Sequence, residues 1–223
     1  GYLAGNLSEE MLERERGVVK NEKRQGENQP YGRVFSRVTE VIYPKGHPYS
    51  WSTIGSMEDL DAAKLSDIKD WYAAYYGPNN AVLSLAGDIS PQRARELVEK
   101  YFGSIAPGAP IDRLKSWVPQ LQENIRDSMQ DRVPQQRIYR LWHLPPMGDA
   151  QTDLLELFGD VLSGSDSAPL RRRLVFDLGL ATDVGAFVWG KELTSTFIIQ
   201  LSVKPGADAD AAERELDLAI NQL

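Results

Sequence analysis

The 223-residue sequence contains no cysteine. That excludes a disulfide scaffold, a thiolate metal site and a cysteine nucleophile. Histidine is nearly absent: His47 and His143 are the only two. His47 precedes Pro48 in a loop, and His143 lies between Trp142 and Leu144 in a predicted strand. Both are read as structural or exposed side chains. No stretch approaches the ~18 consecutive apolar residues of a membrane span. Basic charge is not in excess. Lys and Arg number 25 against 32 Asp and Glu, a net charge of −7, which argues against a general nucleic-acid binder. No signal-peptide pattern is visible. The sequence opens at Gly1 within a pattern, without an initiator Met, and is read as a piece of something longer.

What is present is globular. Hydrophobic residues make up 42% and charged residues 26%, which excludes disordered, collagen-like and coiled-coil classes. The length suits one large domain or two small ones. Helical patterns run from Ser8 to about Gln25, from about Tyr31 to Tyr43, after Ser56, after Ser66, and from Pro91 to Phe102. Ser56 and Asp59 resemble a capping box. Ala81 to Ala86 reads as a strand apolar enough to be buried on both faces. Residues 106–119 contain Pro107, Gly108, Pro110 and Pro119 and form the linker candidate between lobes at 1–105 and 120–223. Beyond it, strands fit Ile125–Arg132 and Arg137–Leu144, and helices fit Asp149–Leu162 and Ala168–Leu178. A hairpin of Ala181–Trp189 and Leu193–Val203 turns at Gly190-Lys191, and Asp208 or Asp210 caps a last helix. This order predicts an α+β fold of two layered lobes rather than a doubly wound sheet. The first lobe reads as incomplete, because one strand cannot make a stable sheet. Its partners are expected upstream of Gly1 or on another chain.

The first helix carries the most informative chemistry. At about 100° per residue, Glu22 lies about 20° from Glu15. Met11, Leu12, Val18 and Val19 fall within about 60° of them, whereas Arg14, Arg16, Lys20, Lys23 and Arg24 point elsewhere. Two carboxylates thus sit in an apolar stripe. If buried, they must be paired, hydrogen-bonded or metal-bound. Two turns apart, roughly 10 Å along the axis, they cannot both be monodentate ligands of one ion without bending, and one ligand with one supporting group suits the spacing better. The alternative is a helix near the surface whose Glu side chains snorkel to water or pair with Arg.

The segment Glu15-Arg16-Gly17-Val18-Val19-Lys20-Asn21-Glu22 resembles the distal acidic segment of the pitrilysin/insulinase family of zinc metallopeptidases, the inverted zincins. Further similar segments follow in the same order. They are His47-Pro48-Tyr49, Ile54-Gly55, Tyr75-Tyr76-Gly77-Pro78-Asn79-Asn80-Ala81, Ala86-Gly87-Asp88, Tyr101-Phe102-Gly103 and Gly179-Leu180-Ala181. The resemblance implies that Glu22 is the third protein ligand of a catalytic Zn2+ and that Glu15 is the nearby supporting acid. Two His ligands and the general base would come from an H-x-x-E-H motif. Three protein ligands leave one position for a water whose pKa the metal lowers to about 7. Neither His47 nor His143 belongs to such a motif, so this chain alone is expected to be inactive. The implied activity is endopeptidase hydrolysis of peptides or unfolded polypeptides, with a second homologous half as partner. A non-catalytic structural or substrate-holding subunit of the same family is the alternative. The family's partner half often carries an assisting Arg and Tyr, and the corresponding positions here are Phe176 and Thr182. The run Asn21–Gly26 is similar to that of exported bacterial members and implies a periplasmic location.

Other motifs carry less. Gly185 to Glu192 nearly matches a phosphate-binding loop but ends in Glu192 where a hydroxyl is needed, within a strand-like run. Asn6-Leu7-Ser8 matches a glycosylation sequon, although Ser8 is read more simply as a helix cap. Arg171-Arg172-Arg173 reads as a solvated face. The aromatic group Trp71, Tyr72, Tyr75 and Tyr76 is read as core.

Overall fold

Residues 7–222 are described by a computed structural model. The chain divides into two units. The first takes in the chain up to Gly26 together with Ser52–Arg113, and the second joins Glu27–Trp51 to Leu114–Leu223. The sequence reading kept 1–105 in one lobe. The structure instead assigns Glu27–Trp51 to the second unit, because that segment is held there by side-chain bonds that local patterning does not report.

In the first unit, α1 spans Glu9–Glu27, α3 Met57–Ala62, α4 Leu65–Tyr75 and α5 Pro91–Phe102, while α2 (Val34–Ile42) belongs to the second. Their ends follow the sequence signals. Ser8 Oγ accepts from the Met11 N–H at 3.3 Å, Ser56 Oγ from Asp59 N–H at 2.9 Å and Ser90 Oγ from Arg93 N–H at 3.2 Å. The Asp67 carboxylate accepts from the Lys64 N–H at 2.8 Å, and α4 starts at Leu65, two residues ahead of a start after Ser66. Among its described residues this unit has no strand, and Leu12 is the one buried side chain. Ala81–Ala86 is extended but unpaired, with Val82 99% exposed. The predicted buried strand is therefore not formed here: an apolar run stays open when no neighbouring strand offers a ladder. The Trp71/Tyr75 and Tyr72/Tyr76 rings pair at 4.3 Å, but three of the four are exposed rather than core.

The second unit holds the core. Strands β1 (Arg137–Leu144), β2 (Ala181–Trp189) and β3 (Ser195–Val203) form an antiparallel sheet of order β1-β3-β2. The register runs from Arg137↔Ser202 to Leu144↔Ser195 and from Ala181↔Val203 to Trp189↔Thr196, with an irregularity between Ala181 and Asp183. Alternation then decides the faces. Leu144, Val184, Phe197, Ile199 and Leu201 pack against α6 (Ala150–Ser163), the turn α7 (Pro169–Arg171), the π-helix Arg172–Asp177 and α8 (Ala209–Asn221), burying Leu162, Leu170, Leu174 and Leu216. The predicted helix at 168–178 is thus a short α-turn that widens into π geometry. Gly159 lets α6 approach β2: a Cβ there would stand 2.7 Å from the Ala186 oxygen. On the opposite face lies the Glu27–Trp51 segment. Phe35 packs edge-on to Trp189 at 5.0 Å, and the Tyr43 hydroxyl lies 3.4 Å from Thr196 Oγ1. Ile125–Arg132, predicted as a strand, is irregular. Side-chain ion pairs rather than a backbone ladder hold it beside β1.

Candidate functional site

The rotation of α1 is set by polar caps, not by its apolar stripe. Arg16 is 12% exposed at its side chain and donates to the carbonyls of Leu60 and, at 2.8 Å, Ala63, at the C-terminal end of α3. Lys20 donates to Asp61 at 2.6 Å. This bond, ahead of the burial that opposes it, holds the Asp61 carboxyl below its usual range. Cations at the negative end of a helix are favoured, so Leu12, Arg16 and Lys20 form the inward side of α1. Glu15 and Glu22 lie about 100° away from that side.

The expectation that Glu15 and Glu22 face inward from a buried stripe is therefore corrected. Both are exposed, Glu15 58% at its side chain, and Val18 is 54% exposed. Glu15 pairs with neighbouring Arg14 at 3.2 Å. Glu22 makes no hydrogen bond or ion pair among the described residues. Among the described residues no group of three or more His, Asp or Glu side chains could hold a metal, so this donor set does not by itself fit zinc. The two carboxylates nonetheless share one side of one helix.

Both histidines are absorbed elsewhere. His47 is fully buried. Its Nδ1 accepts from the Tyr49 N–H at 3.0 Å, so its Nε2–H donates to the Trp117 carbonyl at 3.0 Å, and its ring stacks on Tyr43 at 4.7 Å. His143 Nε2 bonds the Ile42 carbonyl at 2.9 Å, and its buried Nδ1 has no partner. Burial lowers the pKa of His143 and keeps the ring neutral. Phe176 is exposed on the π-helix, and Thr182 Oγ1 accepts from Gln135 Nε2 at 2.8 Å. Gly185–Trp189 is strand, and Lys191 Nζ sits 3.6 Å over the Trp189 ring, an arrangement unlike a phosphate cradle. Asn6 lies outside the described residues.

Sequence reasoning missed an ion network on α8. Glu213 accepts from Arg126 at 2.6 and 2.8 Å and from Arg140 at 2.6 Å, and Arg140 also reaches Asp217 at 3.0 Å. The bonds from Arg126 and Arg140 hold the Glu213 carboxyl down to about 2. Its sequence signal was modest: Glu213 and Asp217 are four apart on one helix face.

The chain belongs to the M16 family of zinc metallopeptidases, since the family model described as "Peptidase M16 inactive domain" matches residues 62–223. It is 27% identical over 225 residues to the zinc protease PqqE of Helicobacter pylori, across 98% of this chain and 50% of that protein. The crystal structure of a protease from Helicobacter pylori superposes with a TM-score of 0.78 at 26% identity, over 97% of this chain and 53% of that one. Pitrilysin superposes with a TM-score of 0.70 at 18% identity over 97% of this chain and 24% of its own, a likeness of fold. The chain spans about half the length of the first two.

Proposed function

We propose that this chain is part of a zinc-dependent metalloendopeptidase acting on peptides or unfolded polypeptides, with Glu22 as a zinc ligand and Glu15 as its supporting acid. Two His ligands and a general base come from an H-x-x-E-H segment outside these 223 residues, and the isolated chain is inactive. A second homologous half completes the enzyme, no nucleic acid is involved, and the location is the periplasm. What supports the ligand role is the place of Glu22 in the segment that resembles the family's distal acidic motif, and its exposure on α1 leaves the role resting on that likeness rather than on burial. No bond within the chain has to break for it to meet a metal carried from outside.

The test uses the longer protein that carries this chain. Glu22→Gln should lose stoichiometric zinc and peptide cleavage while far-UV circular dichroism is unchanged. Glu15→Gln should keep most of the zinc and lose part of the activity. Full zinc occupancy in Glu22→Gln would remove the ligand assignment. The alternative is a non-catalytic subunit of the same family, favoured by the match of 62–223 to a domain described as inactive. An H-x-x-E-H segment upstream of Glu22 selects the enzyme, and its absence selects the subunit. Cell fractionation tests the periplasmic location, and recovery in the cytoplasm would overturn it.

A further inference from the structure

The aromatic cluster between the Glu27–Trp51 segment and the sheet encloses a nitrogen that no group satisfies. His143 of β1 reaches to the C-terminal end of α2, where its Nε2–H donates to the Ile42 carbonyl at 2.9 Å. A carbonyl can only accept, so this bond fixes the tautomer and leaves a lone pair on Nδ1. Nδ1 has no partner, and the residues around it already shut it off from water. Nothing can reach it unless those residues move.

The surroundings are poor hosts for a cation. The Tyr43 ring lies 5.3 Å from the His143 ring and stacks on His47 at 4.7 Å. Both nitrogens of His47 are taken, one by the Tyr49 N–H and the other by the Trp117 carbonyl, so His47 offers no lone pair. The Tyr43 hydroxyl is turned to Thr196 Oγ1 of β3, a neutral group. Lys191, from the β2–β3 turn, holds its ammonium 5.3 Å over the Tyr43 ring and 4.6 Å over that of Tyr49. Along the same face of β1, Tyr139 is neutral and Arg137 stacks on Tyr31 at 3.7 Å. On α2, Arg37 and Glu40 pair with each other. Among the described residues, none of the groups that set the charge of His143 is a carboxylate.

A proton arriving on Nδ1 therefore finds no acceptor, in a cluster that already holds one cation. An unpaired buried donor that is also charged is costly, and local opening relieves it. The stretch that must move is short of anchors. Tyr43 Oη meets Thr196, His47 meets Trp117, and Tyr49 Oη accepts from the Leu193 N–H at 3.1 Å. The β1–β3 ladder is not among the bonds that break. Burial lowers the pKa of His143 from 6.5. The neutral ring thus favours the closed form above 6.5, and that preference is lost as pH falls below it.

We propose that His143 is an acid-operated latch: protonation of its Nδ1 frees the Ile42–Trp51 stretch from the face of the β1–β3 pair while the sheet stays folded. At neutral pH the stretch covers Thr196 and Leu193, both buried. In mild acid it lifts and uncovers them.

The latch lies within the second unit and is tested on the 223-residue chain by amide hydrogen exchange, corrected for the intrinsic pH dependence of exchange. The reporters are the Tyr49 and Leu193 amides, bonded to His47 Nδ1 and Tyr49 Oη. Opening linked to one proton should lower their protection by up to about tenfold between pH ~7.5 and pH ~5.5. Ile198 and Ile199 of β3 should keep theirs. His143→Gln retains a donor for the Ile42 carbonyl but cannot titrate, and should hold the change below about twofold. Equal protection of Tyr49 and Leu193 at both pH values in the wild type overturns the proposal without need of a variant. A parallel loss in β3 also overturns it, because the whole unit would then be unfolding. So does an undiminished response in His143→Gln, which would place the proton on another group.

Discussion

Glu213→Gln is the sharpest perturbation of the second unit, because one carboxylate ties the irregular segment at Arg126, β1 and α8 together. Its carboxyl titrates at about 2 in the fold against 4.5 without the fold's influence. At about 1.4 kcal/mol per unit, that shift corresponds to at most ~3 kcal/mol. Arg126 is 78% exposed, so solvent screens its share and the expected cost of the variant near neutral pH is about 1–2 kcal/mol. The sign follows from linkage. A carboxylate depressed by folding contributes stability that is fully present above 4.5 and is lost as pH falls through about 2. By pH ~3 less than half should remain. Urea unfolding of wild type and variant, followed by circular dichroism at pH 7 and pH 3, reads both values. Equal destabilisation at the two pH values would mean that packing, not charge, gives Glu213 its role, and would refute the reasoning.

Other expectations are as direct. His47→Phe leaves the Tyr49 N–H and the Trp117 carbonyl without their partner and should cost about 2–4 kcal/mol in the same unfolding experiment. A loss under ~0.5 kcal/mol would mean water reaches both groups. Leu170→Ala, at a fully buried site, should cost about 3 kcal/mol, read as a lower urea midpoint at unchanged slope. His143 has a folded pKa lowered by burial, so its contribution is present above 6.5 and shrinks as pH falls below it. An NMR titration midpoint of its ring at or above 6.5 would contradict that. Arg16→Met should speed amide exchange at the C-terminal end of α3, since two carbonyls there lose their cap.

Local signals were legible where local physics decides. Pro91 marked the first residue of α5, Asp208 was one of two candidate caps for α8 and is the one used, and the strand fitted at Arg137–Leu144 matches β1 to the residue. Signals that need a distant partner were not. Ala81–Ala86 has the composition of a strand, but composition cannot supply the neighbour that makes a ladder. The attachment of Glu27–Trp51 to the second unit rests on single long-range bonds, such as Tyr31 Oη to the Gln135 carbonyl at 2.5 Å and the Leu193 N–H to Tyr49 Oη at 3.1 Å. The rotation of α1 was misjudged for a related reason. Periodicity weighs apolar residues, whereas the carbonyls at the end of α3 turned Arg16 inward and left Glu15 and Glu22 outside.

The polypeptide passes from one unit to the other at Gly26/Glu27, again at Trp51/Ser52 and again at Arg113/Leu114. A single protease nick in the proline-rich stretch after Ala106 would therefore split the second unit rather than part the two units: Glu27–Trp51 stays covalently joined to the first unit at both of its ends and holds the later fragment by noncovalent contacts alone. A clone begun at Leu114 would fare worse: it would display the sheet with one side stripped of Phe35, Tyr43 and His47. Dissecting this protein into its parts calls for rejoining Glu27–Trp51 to the later residues by a designed loop, not for trimming at a linker.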